Sequence, residues 1–176
     1  MNCRVTAYIG LGSNLENPAA QITRAIDALE TLPHTSFRAV SSFYRNRPMG
    51  PQDQPDFVNA VLAIETGLSP RALLKAMQGI EHAQGRARTV QRWGPRIIDL
   101  DLLVYGDELL SEDQLQVPHP GIAERAFVLV PLAEIAPQLA IPALAPLSTL
   151  LAAVDCTSVK PMPAPIRSMP RKSSTR

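Results

Sequence analysis

RWGPRIIDLDLLVYG, residues 92–106, decides how this chain is read. Ile98, Leu100, Leu102 and Val104 alternate with Asp99, Asp101, Leu103 and Tyr105, the period-two pattern of a half-buried strand. Side chains two apart on a strand share a face, roughly 7 Å apart along it. Asp99 and Asp101 therefore stand side by side. Asp is depleted in strands, and two neighbouring carboxylates repel unless something positive sits between them. A hard divalent cation that takes oxygen ligands, Mg²⁺ above all, suits that position.

Upstream the charge reverses. Arg86, Arg88, Arg92 and Arg96 fall in a segment with no acid between Glu81 and Asp99. Guanidinium forks match phosphate oxygens, and a magnesium-binding carboxylate pair suits the same polyphosphate from its other side. Gly85, Gly94, Pro95 and the sole tryptophan, Trp93, make the segment a loop able to close over a ligand. The plainer alternative is a solvated loop leading into an edge strand with two exposed acids.

Composition narrows the classes. A chain of 176 residues, 45% hydrophobic and 19% charged, fits one ordinary domain with a core of its own. Residues 157–176 carry Lys160, Arg167, Arg171, Lys172 and Arg176 and no acid, which leaves the body with more acidic than basic residues. Such a body is a poor general nucleic-acid binder. Cys3 and Cys156 are far apart and form no metal-binding motif, so a reduced, cytoplasmic setting is expected. The opening residues hold too short an apolar run for a signal peptide, and no stretch is long enough for a membrane span.

Residues 4–11 read as a strand, followed by GLGSN at 10–14. A dinucleotide fingerprint needs glycine where Leu15 stands, and a P-loop needs a Gly-Lys pair that is absent. Gly10 and Gly12 either allow close backbone approach beside a site or form a strand-to-helix turn. Asn17-Pro18 caps a helix with Ile22, Ala25, Ile26 and Leu29 inward. Strands follow at 36–45 and 57–66, joined by the Pro- and Gly-rich stretch 46–56, whose length marks a functional loop. Ser69-Pro70 opens a second helix with Leu73, Leu74, Met77 and Ile80 inward, and with Gln78 and Glu81 on a neighbouring face. After the aspartate strand, Gly106-Asp107 turns into a short return strand.

The order strand, helix, strand, strand, helix, strand is the split βαβ of an α+β, ferredoxin-like βαββαβ sheet. VPHPGIAER at 117–125 is a proline-bounded turn, and helices at 126–136 and 147–154 form a C-terminal extension covering the sheet. The expectation is one domain over 1–156 and a disordered, basic, Pro-rich tail over 157–176.

The chain resembles the hydroxymethyl-dihydropterin pyrophosphokinases of folate biosynthesis. The resemblance spans residues 4 to about 155 and is carried by RWGPRIIDLDLL, together with IGLGSN, SSFYRNRPMGPQDQPDFVNAV and VPHPGIAERAF. It implies transfer of pyrophosphate from ATP to the hydroxyl of hydroxymethyl-dihydropterin, with AMP leaving. Asp99 and Asp101 would bind two Mg²⁺ ions. Arg86, Arg96, His119 and Arg125 would meet the nucleotide phosphates, with Gln78, Glu81, Arg88, Arg92, Trp93 and Leu102 on the same side. The pterin would stack between Phe57 and Phe127, its polar edge read by Asn59 and around Asn46, Pro48 and Met49. Loops 10–15, 46–56 and 85–96 would be moving lids. Arg47 and Phe57 stand where many members carry proline and tyrosine. The implied protein is a monomer acting on small molecules, without nucleic-acid or membrane partners.

Two other classes compete. A nucleotidyl transferase or phosphatase with an aspartate pair would account for the acids and arginines but not for the block at 46–56. An RNA-recognition module shares the strand order but reads bases with exposed aromatics. Here aromatics are only 5% of the chain, and acids occupy the strand in question.

Overall fold

The computed structural model of the protein describes residues 4–85 and 94–163. Strand β1, Val5–Ser13, leads into helix α1, Pro18–Glu30. The Asn17 side chain accepts from the Ala20 amide at 3.4 Å and Pro18 opens the first turn, where its missing N–H costs nothing. Strands β2, Thr35–Val40, β3, Tyr44–Asn46, and β4, Phe57–Thr66, precede helix α2, Pro70–Ala83. Ser69 caps α2 through the Ala72 amide at 3.3 Å. Strand β5, Asp99–Tyr105, completes the pattern.

The strands lie in the order β5–β1–β4, with β2 and β3 following one another along the far side of β4, and all neighbours are antiparallel. This is the split βαβ arrangement of the ferredoxin-like fold. Its two faces bury different helices. Ile9, Leu11, Leu62, Ile64, Leu100 and Leu102 meet the apolar stripes of α1 and α2. Val61, Leu103 and Val104 meet Val128, Leu129, Leu132 and Leu147, from helices α3, Ala126–Ile135, and α4, Leu147–Ala153.

Strict alternation fails where β2 shifts register at Arg38, between Phe37 and Ala39, and at two places nearer the site. The strand expected at 36–45 breaks, because Val40 faces Leu62 while Tyr44 faces Asn59. Three residues, 41–43, thus oppose two, 60–61, as in a β-bulge. In β5, Leu102 faces Ile9 and Val104 faces Tyr8, so Leu103 is the extra residue. Val104 therefore joins Leu103 in the second core, and Tyr105 turns to the first. The Leu103 carbonyl accepts from the His119 amide at 2.8 Å.

The return strand after Gly106 does not pair with β5. It is β6, Leu110–Glu112, in a separate hairpin with β7, Leu115–Val117. A cis Val117–Pro118 bond and a 3₁₀ turn at Ile122–Glu124 carry the chain on to α3. The expected boundary at Cys156 is also corrected. Strand β8, Lys160–Pro161, pairs with β3 on its outer edge, Val159 is buried, and the Met162 amide donates to the Phe43 carbonyl at 2.8 Å. Two apolar side chains and a vacant strand edge hold a segment whose composition reads as tail. Residues 164–176 lie outside the described residues.

Candidate active site

Cross-strand register assembles the site on the second face, beyond the end of its core. Gly12 is paired with Asn59 on one side and Asp99 on the other; two residues along, Gly10 is paired with Val61 and Asp101. The glycine pair thus lies inside β1, not in a loop or turn, and leaves a trough between the β4 amide and the β5 carboxylates. A Cβ on Gly12 would come within 2.8 Å of Asn59 Oδ1. The result is a cleft of about 250 Å³ lined by Gly10, Gly12, Asn46, Met49, Phe57, Asn59, Arg96, Asp99, Asp101, His119, Arg125 and Phe127, among others.

One end of the cleft carries charge. The Arg96 guanidinium contacts Asp99. Asp101 lies 3.8 Å from both His119 Nε2 and the Arg125 guanidinium. Desolvation at the bottom of the cleft, then the neighbouring Asp99, pushes the Asp101 carboxyl up to about 7. Its side chain nevertheless keeps 37% of its surface open to the cleft, so a ligand can reach it. Burial first, then Arg125, lowers His119 to about 4. His119 Nδ1 accepts from the Gly121 amide at 3.0 Å, which leaves the neutral imidazole proton on Nε2, facing Asp101. Gly121 also makes room for Arg125, whose Nε would lie 2.6 Å from a Cβ at that position.

The side of the cleft toward β4 and β3 carries amides and aromatic rings. Phe57 on β4 and Phe127 at the start of α3 both line it. The Asn59 side-chain amide donates to Asn46 Oδ1, and Asn46 Nδ2 donates to the Arg47 carbonyl at 2.8 Å. Both asparagines are buried. The 46–56 loop is braced from within, since Gln52 Nε2 donates to the carbonyls of Pro48 and Gly50. Pro48 is buried within the loop but does not line the cleft, while Met49 is 55% exposed at its mouth.

Not every residue expected here arrives. Leu102 belongs to the core on the opposite face, because it alternates with Asp101. Glu81 is buried, and its Oε1 accepts from the Leu100 amide at 2.8 Å; it supports β5 from behind. Gln78 is exposed on α2 and does not line the cleft. Arg86, Arg88, Arg92 and Trp93 lie outside the described residues. One residue was missed. Asn14, buried, accepts from the Arg96 amide at 2.7 Å and donates to Gln54 Oε1 and the Pro55 carbonyl, both at 3.0 Å. It ties three segments that line or flank the cleft.

Comparison with known proteins shows the family. Residues 8–137 match the family model described as 7,8-dihydro-6-hydroxymethylpterin-pyrophosphokinase. The 2-amino-4-hydroxy-6-hydroxymethyldihydropteridine pyrophosphokinase of Haemophilus influenzae is 51% identical over 138 residues, covering 78% of this chain and 86% of its own. The enzyme of the same name from Pseudomonas aeruginosa is 50% identical over 156 residues, covering 89% and 96%. Among solved structures, the wild-type Plasmodium falciparum HPPK-DHPS with pteroate superposes with a TM-score of 0.68 at 14% identity, over 86% of this chain. This chain spans 42% of that longer one, and the likeness speaks to the fold alone. The chain belongs to the 7,8-dihydro-6-hydroxymethylpterin-pyrophosphokinase family.

Proposed function

We propose that this chain transfers the pyrophosphoryl group of ATP to the primary hydroxyl of 6-hydroxymethyl-7,8-dihydropterin, a step of folate biosynthesis. The carrying observation is one cleft with two chemistries: paired aspartates with arginine and histidine donors at one end, and two phenylalanines with an asparagine pair at the other. A flat heteroaromatic ring with an amino-pyrimidine edge needs stacking surfaces and amide groups that both donate and accept. A triphosphate needs cationic forks and a carboxylate pair to hold its counter-ion. The glycine trough puts the two ligands within reach of one another.

The pterin stacks between Phe57 and Phe127, and Asn46 and Asn59 read its edge. Arg96 and Arg125 neutralise phosphate charge, and His119 acts as a donor through Nε2. The substrate hydroxyl gives up its proton to the Asp101 carboxylate or to water, its oxygen forms a bond to the β-phosphorus, the bond from that phosphorus to the α–β bridging oxygen breaks, and AMP departs with the oxygen. Positioning and charge neutralisation supply most of the acceleration in phosphoryl transfer, so no covalent enzyme intermediate is required.

Asp99 and Asp101 fit a magnesium site. Their oxygens are hard ligands two residues apart on one strand face, and burial, then the neighbouring Asp99, raises the Asp101 pKa, an unfavourable pairing that a cation held between the two would offset. When bound there, magnesium supplies Lewis-acid withdrawal of charge from phosphate oxygens and a lowered hydroxyl pKa. The substrates are small and soluble, and a cytoplasmic monomer fits them. Among the described residues no helix is long and apolar enough to cross a membrane.

Asp99→Asn and Asp101→Asn test the reading. Each should abolish most Mg²⁺-dependent turnover while the protein stays folded by circular dichroism. Near-normal turnover with a lowered melting temperature would make the pair structural.

A further inference from the structure

The strand break at 41–43 is held by a carboxylate from another element. Ser42 is the central residue of the bulge, where a ladder amide loses its regular partner. Glu134, near the end of α3, takes that amide: its Oε1 accepts from Ser42 N at 2.9 Å and from Ser42 Oγ at 2.8 Å. Its Oε2 accepts from the Tyr44 hydroxyl at 2.6 Å. Against the desolvation of partial burial, the bonds from Tyr44 and Ser42 hold the Glu134 carboxyl below its usual range. Burial, then the bond to Glu134, pushes the Tyr44 hydroxyl up to about 12.

These residues bracket the amide end of the cleft. Tyr44 is the register partner of Asn59, and Asn46 that of Phe57. Paired residues share a face, so all four side chains lie on the face that α3 covers. The same helix brings Phe127 to the cleft at its other end. One helix thus carries both a wall of the cleft and the anchor that fixes the opposite wall. A one-residue slip of β3 would turn Asn46 away from Asn59.

We propose that Glu134 is a positioning residue for the pterin: by capping the bulge at Ser42 and holding Tyr44, it locks the register of β3 on β4 and thereby sets the Asn46–Asn59 amide pair. The inference rests on the reading that this pair, with Phe57, receives the pterin. Glu134 does not line the cleft, and its hydrogen bonds go to Ser42 and Tyr44. Its loss weakens pterin capture without weakening nucleotide capture.

The test is steady-state kinetics with both substrates varied, on Glu134→Gln, Tyr44→Phe, their double variant and Asn59→Ala, with folding checked by circular dichroism. Glu134→Gln should raise KM for the pterin about fivefold to tenfold, with kcat and KM for ATP within about twofold. The double variant should be no worse than Glu134→Gln, because the two residues act as one unit. Equal rises in both KM values, or a lowered melting temperature with both KM values unchanged, would overturn the inference. Asn59→Ala separates the two levels. If it leaves the pterin KM unchanged, the pterin-site reading fails; if it raises that KM while Glu134→Gln does not, the inference alone fails.

Discussion

Asn14 and Arg96, 82 residues apart in sequence, exchange two hydrogen bonds: the Arg96 amide donates to Asn14 Oδ1 at 2.7 Å, and the Asn14 amide donates to the Arg96 carbonyl at 3.0 Å. The pair fixes the backbone that leads into Asp99, and hence the guanidinium beside that carboxylate. Asn14→Ala strips the Arg96 amide and two loop acceptors of their partner in a buried setting. Each lost buried bond costs on the order of 1 kcal/mol. A drop of about 2–3 kcal/mol in urea unfolding is expected, together with a fall in kcat. Asn14→Asp, which keeps the acceptor for Arg96 but not the donors to Gln54 and Pro55, should retain part of both.

Gly12→Ala should act selectively. The added methyl would press on Asn59 Oδ1, so the amide pair must shift while the carboxylates on the neighbouring strand stay. The expected result is a pterin KM raised about tenfold with KM for ATP little changed, the usual penalty for misplaced positioning groups. Equal KM values for wild type and variant would show that the trough tolerates a side chain.

Asp101 gives the metal-free protein a signed pH dependence. Burial, then Asp99, raises its pKa from 3.8 to about 7. The folded state therefore keeps a proton that the unfolded chain releases. The stabilisation is complete below the unfolded value and is lost as pH rises through about 7. Melting without Mg²⁺ should show that loss between about pH 4 and pH 7, and Asp101→Asn should remove it. Added Mg²⁺ should raise the melting temperature more at the higher pH, since metal and proton compete for the same oxygens.

How much of this was legible depended on range. The aspartate strand, the capped helices and the βαββαβ order follow from local pattern, and the structure has all of them. A single bulge residue leaves no mark in composition, so Val104 and Tyr105 were assigned to the wrong faces. The Asn14–Arg96 exchange and the Glu134 clamp join residues some 80 to 90 apart, and nothing local announces either. Glu81 was a different kind of miss. It lies four residues beyond Met77 on the apolar stripe of α2, and an acid at that position signals a buried partner, here the Leu100 amide.

The segment after Cys156 should matter to stability. Val159 is buried, Met162 packs against the main core, and β8 covers the outer edge of β3. Fully burying a side chain of that size contributes ~1.5–3 kcal/mol. A chain ending at Cys156 should melt several degrees lower and expose the β3 edge, with a greater tendency to associate. An unchanged melting temperature would mean that the strand adds nothing to the body.

The most direct measurement of the central claim is the nucleotide product. Incubated with ATP, Mg²⁺ and 6-hydroxymethyl-7,8-dihydropterin, the protein should yield AMP and the pterin pyrophosphate in equal amounts, resolved by ion-exchange chromatography. Attack at the β-phosphorus requires that stoichiometry. ADP with a pterin monophosphate, or AMP without a pterin product, would contradict the assignment of pyrophosphoryl transfer to this cleft.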